Sequence, residues 1–104
     1  MILKLKEPVS FEDKTFEEID LDFDKFSFIT LTKAEGIMRD IKEMVAPPKE
    51  GSPIYCMAVA SALTKVPYKA WEKFTGDNFG VVNRIRLEVM NFLLTKGMEG
   101  TETE

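Results

Sequence analysis

Residues 17–23 read Glu17-Glu18-Ile19-Asp20-Leu21-Asp22-Phe23, and from Glu18 onward charged and apolar side chains alternate. Period two with one charged face is the pattern of a half-buried strand. The first six residues repeat it, with Met1, Leu3 and Leu5 on one side and Ile2, Lys4 and Lys6 on the other. Between the two runs lies Phe11-Glu12-Asp13-Lys14-Thr15, a polar turn. A β-hairpin is therefore expected over residues 1–24. Pro8 cannot donate a ladder hydrogen bond, so the first strand should be an edge there or carry a bulge. Phe16 falls on the wrong side for perfect alternation, which points to a register irregularity. Two strands are marginal in water, so the hairpin must pack on helices or pair with another copy.

From Thr32 the period changes. Thr32-Lys33-Ala34-Glu35 fits a capping box. Ala34, Ile37, Met38, Ile41, Met44 and Val45 follow at helical spacing. Pro47-Pro48 should stop this helix, with Lys49-Glu50-Gly51 as loop. Ser52-Pro53 supplies an N-cap and first helical residue for the next. Its expected buried stripe is Ile54, Met57, Ala58, Ser61 and Ala62. A short third helix from Pro67 should set Tyr68, Trp71 and Phe74 on one side. After Thr75-Gly76-Asp77, with Asp77 as N-cap, the last helix should run from about Asn78 to Lys96 and end at Gly97. The fold class expected is α+β, an N-terminal antiparallel hairpin packed on three to four helices. One domain should span residues 1–97, its helical part 30–97, with 98–104 a flexible polar tail.

The last helix has more apolar side chains than one face can use. Phe79, Val82, Ile85, Val89, Phe92 and Leu93 form one stripe, and Val81, Leu87, Met90 and Leu94 lie largely off it. Such a helix either sits centrally or offers a second face to a partner. Val81, Leu87, Met90 and Leu94 are the candidate protein-binding residues, together with the hairpin edge.

Composition bounds the rest. The chain has 104 residues, 44% of them hydrophobic, with eight Phe, two Tyr and one Trp. That suits one globular domain whose core needs neither disulfide nor metal. Cys56 is the only cysteine, so no internal disulfide can form, as in a reducing compartment. The opening residues lack the apolar core of a secretory signal, and no apolar run approaches the ~20 residues of a membrane span. A cytoplasmic protein is expected. Net charge is −4. Residues 1–24 hold three lysines against eight carboxylates, and residues 64–96 hold six basic side chains against three acidic ones. An acidic front faces a mildly basic last helix.

Signs of catalysis are scarce. The chain has no histidine, the usual general base and commonest metal ligand. Cys56 sits in an apolar helical run where nothing would lower its pKa. No glycine loop cradles phosphate. Asp20-Leu21-Asp22-Phe23-Asp24 resembles the start of a calcium loop, but its sixth position is Lys25 and its twelfth Leu31. The expectation is a non-enzyme with no cofactor, no metal and no small-molecule substrate. A helix–turn–helix could be drawn over 66–94, yet only Asn83, Arg84 and Arg86 are suited to base edges, and the chain is acidic.

The stretch from Met1 to Phe23 resembles the opening of the tail assembly chaperones of Mu-like, contractile-tailed phages and prophages. The shared pattern is an apolar strand, Pro8, the Asp13-Lys14 turn followed by Thr15 and Phe16, then Ile19-Asp20-Leu21. The closing Val89-Met90-Asn91-Phe92-Leu93-Leu94 is similar too. The turn departs from the pattern in having Glu12-Asp13 where a glycine is common, and residues 29–52 match only as a helical pattern. The resemblance implies a non-catalytic protein of the host bacterial cytoplasm. Such a protein binds the tape-measure protein, keeps it soluble and hands it to the polymerising tail tube protein. It also implies self-association, and a longer frameshifted form in many members. Met38, Met44, Met57 and Met90 would suit adaptable packing on a repetitive helical client. The alternatives are a structural phage tail or virion protein, a small oligomeric adaptor, and, last, a DNA-binding regulator.

Overall fold

A computed structural model describes residues 1–41 and 52–99, with side chains as far as Thr95. The order of elements is β1 (Ile2–Phe11), β2 (Lys14–Asp20), α1 (Phe28–Arg39), α2 (Pro53–Thr64) and α3 (Phe79–Glu99), with short 3-10 turns at Phe23–Lys25, Tyr68–Lys73 and Gly76–Asn78. The arrangement is α+β: β1 and β2 form a two-stranded antiparallel hairpin, and the hairpin packs on the helices.

The hairpin has the expected irregularity. Leu3 pairs with Ile19 and Lys4 with Glu18, but Val9 pairs with Phe16. Four residues of β1, Leu5 to Pro8, therefore oppose Glu17 alone. This bulge contains Pro8, whose missing N–H would otherwise interrupt a regular ladder. It also brings Phe16 against the core beside buried Val9. The loop is only Glu12-Asp13, and Glu12 adopts a left-handed backbone with φ 55. A side chain there is strained by about 1 kcal/mol.

The bulge is held from the far end of the chain. The Asn78 side-chain oxygen accepts from the Lys6 N–H at 2.9 Å and the Glu7 N–H at 3.3 Å, and its amide donates to the Glu7 carbonyl at 2.9 Å. Asn78 is buried. Its one side chain satisfies three backbone groups that the bulge removes from the ladder.

The helices fit around α2. Ser52 caps it by accepting from the Tyr55 N–H at 3.2 Å, with Pro53 at the first turn, as the sequence predicts. Residues Cys56 to Ser61 are all buried, so α2 is covered on every side and not along one stripe. Small side chains let α1 and α3 approach it closely. Lys65 ends α2 in a left-handed conformation with φ 68. The expected third helix is a 3-10 segment. It buries Trp71 and, just beyond, Phe74, whose rings sit 5.2 Å apart. The Trp71 indole donates to the Ser61 hydroxyl at 2.7 Å, which satisfies both buried polar groups.

Four helix boundaries differ from expectation. α1 begins at Phe28, not Thr32. The Ser27 N–H donates to the Thr30 hydroxyl at 3.1 Å, while the Thr32 hydroxyl turns back to the Phe28 and Ile29 carbonyls inside the helix. That is the other common role of a helical threonine. α1 ends at Arg39, so Ile41 lies beyond it, while Met44, Val45 and Pro47-Pro48 lie outside the described residues. Asp77 does not cap α3, because a 3-10 turn carries the chain into it and seats Asn78 inward. Gly97 does not end α3, which continues to Glu99. Glycine inside a helix costs about 1 kcal/mol relative to alanine but need not stop it. Residues 98 and 99 are therefore helical, and the rest of the expected tail lies outside the described residues.

Two substitutions test this account by chemical denaturation. Asn78→Ala strands three backbone groups and should lower stability by about 2 kcal/mol. Glu12→Gly relieves the turn strain and should raise stability by about 0.5 kcal/mol, a gain of ~2–4 °C in Tm.

Candidate functional site

α3 has two distinct sides. Ile85 and Val89, four residues apart, are fully buried against the core. Val82 and Leu93 pack against the same core. Phe92 stacks on Phe23 with ring centroids 4.6 Å apart and tilts against Phe26 at 4.9 Å. These rings tie the last turns of α3 to the segment that leads into α1. Aromatic pairs of this kind contribute about 0.5–1.5 kcal/mol beyond their burial.

Helical geometry turns the chain by about 100° per residue, so Leu87 lies nearly opposite Ile85. Leu94 follows Leu87 by seven residues and shares its side. Both point outward, with Leu87 43% and Leu94 60% exposed. Met90 lies between them on the flank and is half-buried against the core. Val81 is on the other flank, also packed against the core. Of the four candidates Leu87 and Leu94 point outward on one side, Met90 borders them while packing partly on the core, and Val81 lies apart on the core side. Phe79, which the sequence places on the inner stripe, is 59% exposed. It is displaced because its neighbour Asn78 takes the inward position.

Polar side chains flank the stripe and are engaged along the helix. Arg84 pairs with Glu88 at 2.8 Å, and the Arg86 guanidinium donates to the Asn83 side-chain oxygen at 2.8 Å. These are the three residues a helix–turn–helix reading would send to base edges.

A second apolar surface was not anticipated. Phe28 and Ile29, at the start of α1, are 76% and 63% exposed. The sequence Phe26-Ser27-Phe28-Ile29 contains the signal, since Ser27 precedes two apolar residues that cannot both face inward on a helix. Placing the helix start at Thr32 concealed it. The Phe23–Phe92–Phe26 cluster sets this start of α1 beside the later turns of α3.

Cys56 is fully buried, and burial pushes its thiol pKa up, with Arg86 opposing the rise only in part. A raised pKa keeps the thiol protonated and poorly nucleophilic at neutral pH. The Asp22 carboxylate accepts from the Asp24 N–H at 3.0 Å and caps the 3-10 turn. Among the described residues, no group of three or more Asp, Glu or Cys side chains is placed to hold a metal ion. Among them, too, no helix is long and apolar enough to cross a membrane.

The chain matches no family model, no curated protein and no solved structure.

Charged substitutions on the two sides of α3 should separate. Leu87→Asp and Leu94→Asp should each shift stability by less than about 0.5 kcal/mol in urea denaturation. Ile85→Ala should cost about 3 kcal/mol by the same measurement, because it opens a cavity.

Proposed function

We propose that this protein is a non-catalytic tail assembly chaperone that covers apolar stripes on a phage tape-measure protein until tail tube subunits enclose it. The observation that carries the reading is the stripe Leu87–Met90–Leu94. It stands opposite the buried face of a helix whose inner side already completes the core. Leu87 and Leu94 contribute little to this chain's own packing and remain available to another helix, with half-buried Met90 at their flank. The resemblance of residues 1–23 and 89–94 to tail assembly chaperones supplies the kind of client: a long, largely helical protein with repeated apolar faces. Helix-on-helix contact at i, i+3 and i+7 spacing suits such a surface. Met90 adds a flexible side chain that can adapt to non-identical repeats. Phe28, Ile29 and Phe79 extend the exposed apolar area. On this reading the site of action is the bacterial cytoplasm, and the partners are the tape-measure protein and the tail tube protein.

Co-expression with the tape-measure protein of the same tail gene cluster tests the proposal. The long protein should become soluble and elute with several copies of this chain in size-exclusion chromatography with light scattering. The double variant Leu87→Asp/Leu94→Asp should fold normally and lose most of that solubilisation. If wild-type protein leaves the client insoluble, the chaperone reading is wrong. If the folded double variant works as well as wild type, the contact lies elsewhere. Mass spectrometry of purified virions distinguishes a structural component, which would be present in the particle.

A further inference from the structure

A groove of about 510 Å³ opens between the hairpin loop, the end of α1 and the 3-10 segment Tyr68–Lys73. No residue of α3 lines it. Its apolar surface comes from Phe11, Ile37, Ile41 and Tyr68. Its charged lining is Glu12, Asp40 and Glu72, against one Lys69. Three carboxylates and one ammonium leave a net charge of −2 around an apolar floor. The volume falls in the range of about 300–1,000 Å³ typical of ligand sites.

We propose that this groove docks a peptide segment in which an apolar side chain about the size of leucine lies beside Lys or Arg. The apolar side chain enters among Phe11, Ile37 and Tyr68. The flanking cation meets the carboxylates of Glu12, Asp40 and Glu72, all three of them exposed enough to be reached. Charge complementarity selects the occupant. A phosphate polymer or an acidic peptide would be repelled by the same carboxylates. The geometry favours a peptide over a free cation, because more than half the lining is hydrocarbon. The groove is separate from the stripe on α3, so it stands whether or not the tape-measure reading does. It would give a single copy two distinct protein contacts.

The test is a two-dimensional amide NMR titration of the full chain with three short probes: Ac-Lys-Leu-Lys-NH2, Ac-Lys-Ser-Lys-NH2 and Ac-Glu-Leu-Glu-NH2. The first should give saturable shifts at Phe11, Ile37, Tyr68 and Lys69 and leave Leu87 and Leu94 unmoved. The other two should bind at least tenfold more weakly. Raising salt from ~0.1 M to ~1 M should weaken the first probe severalfold through screening. Asp40→Lys/Glu72→Lys should weaken it tenfold or more. Both positions are exposed, and a cation near the end of α1 is favourable there, so the variant should keep its wild-type fold. Leu87→Asp should bind the first probe as wild type does. Equal binding of all three probes, shifts scattered over the surface, or no binding would each overturn the proposal. Movement of the same amides when the protein alone is diluted would assign the groove to a second copy and also overturn it.

Discussion

Asn78 holds the two halves of this protein together. An isolated two-stranded hairpin is marginal in water, and this one interrupts its own ladder with a four-residue bulge. The interrupted backbone groups at Lys6 and Glu7 find their partners 71 and 72 residues away in sequence, on one amide side chain at the threshold of α3. Much else follows from that link. It fixes where α3 begins, turns Phe79 outward, and sets Ile85 and Val89 toward α2. It lets Val9, Ile19 and Leu21 complete a core that the helices alone leave open. An apolar residue at position 78 would fill the same space and leave the bulge unsatisfied.

The core itself is organised by small side chains. α2 contributes Cys56, Ala58, Val59, Ala60 and Ser61, with Met57 the one long side chain among its buried residues, and α1 and α3 close over it. The large rings are placed at the margins: Trp71 and Phe74 beneath the end of α2, and Phe23, Phe26 and Phe92 between the hairpin exit and α3. The ring pair under α2 is oriented by the bond from Trp71 to Ser61. Centre and margin thus use different physics, close helix approach in one and ring stacking in the other. The division frees the outer side of α3, because the inner side and the rings already anchor that helix.

Local patterns made the architecture legible. Alternation gave the hairpin, Pro8 and Phe16 pointed to its bulge, Ser52-Pro53 marked the start of α2, and helical spacing found the inner face of α3. The differences lie where a residue type has two local roles, or where a tertiary bond overrides a local one. Thr32 looked like a cap, but its hydroxyl has carbonyls within reach one turn back. Asp77 looked like a cap, but the next residue was required inside by β1. Gly97 looked like a stop, although a glycine stops a helix only when the chain turns left-handed there. The candidate stripe was legible as a surplus of apolar residues. Which of them point outward is settled by tertiary packing, which sets Val81 and Met90 against the core and leaves Leu87 and Leu94 exposed. The exposure of Phe28 and Ile29 is hidden from a reading that starts α1 at Thr32, one turn late.

A two-stranded sheet has two open borders, each able to recruit a foreign strand. In this protein Asn78 occupies the backbone groups of β1 at Lys6 and Glu7, where such recruitment could begin. Glu17, Glu18 and Asp20 stud β2 with like charge. A protein that displays Leu87, Leu94, Phe28 and Ile29 to solvent is exposed to aggregation through its side chains. Its backbone borders are occupied at Lys6 and Glu7 and charged along β2, so recruitment of a foreign strand is disfavoured there. The clamp that holds the fold together also keeps the hairpin from seeding fibrils.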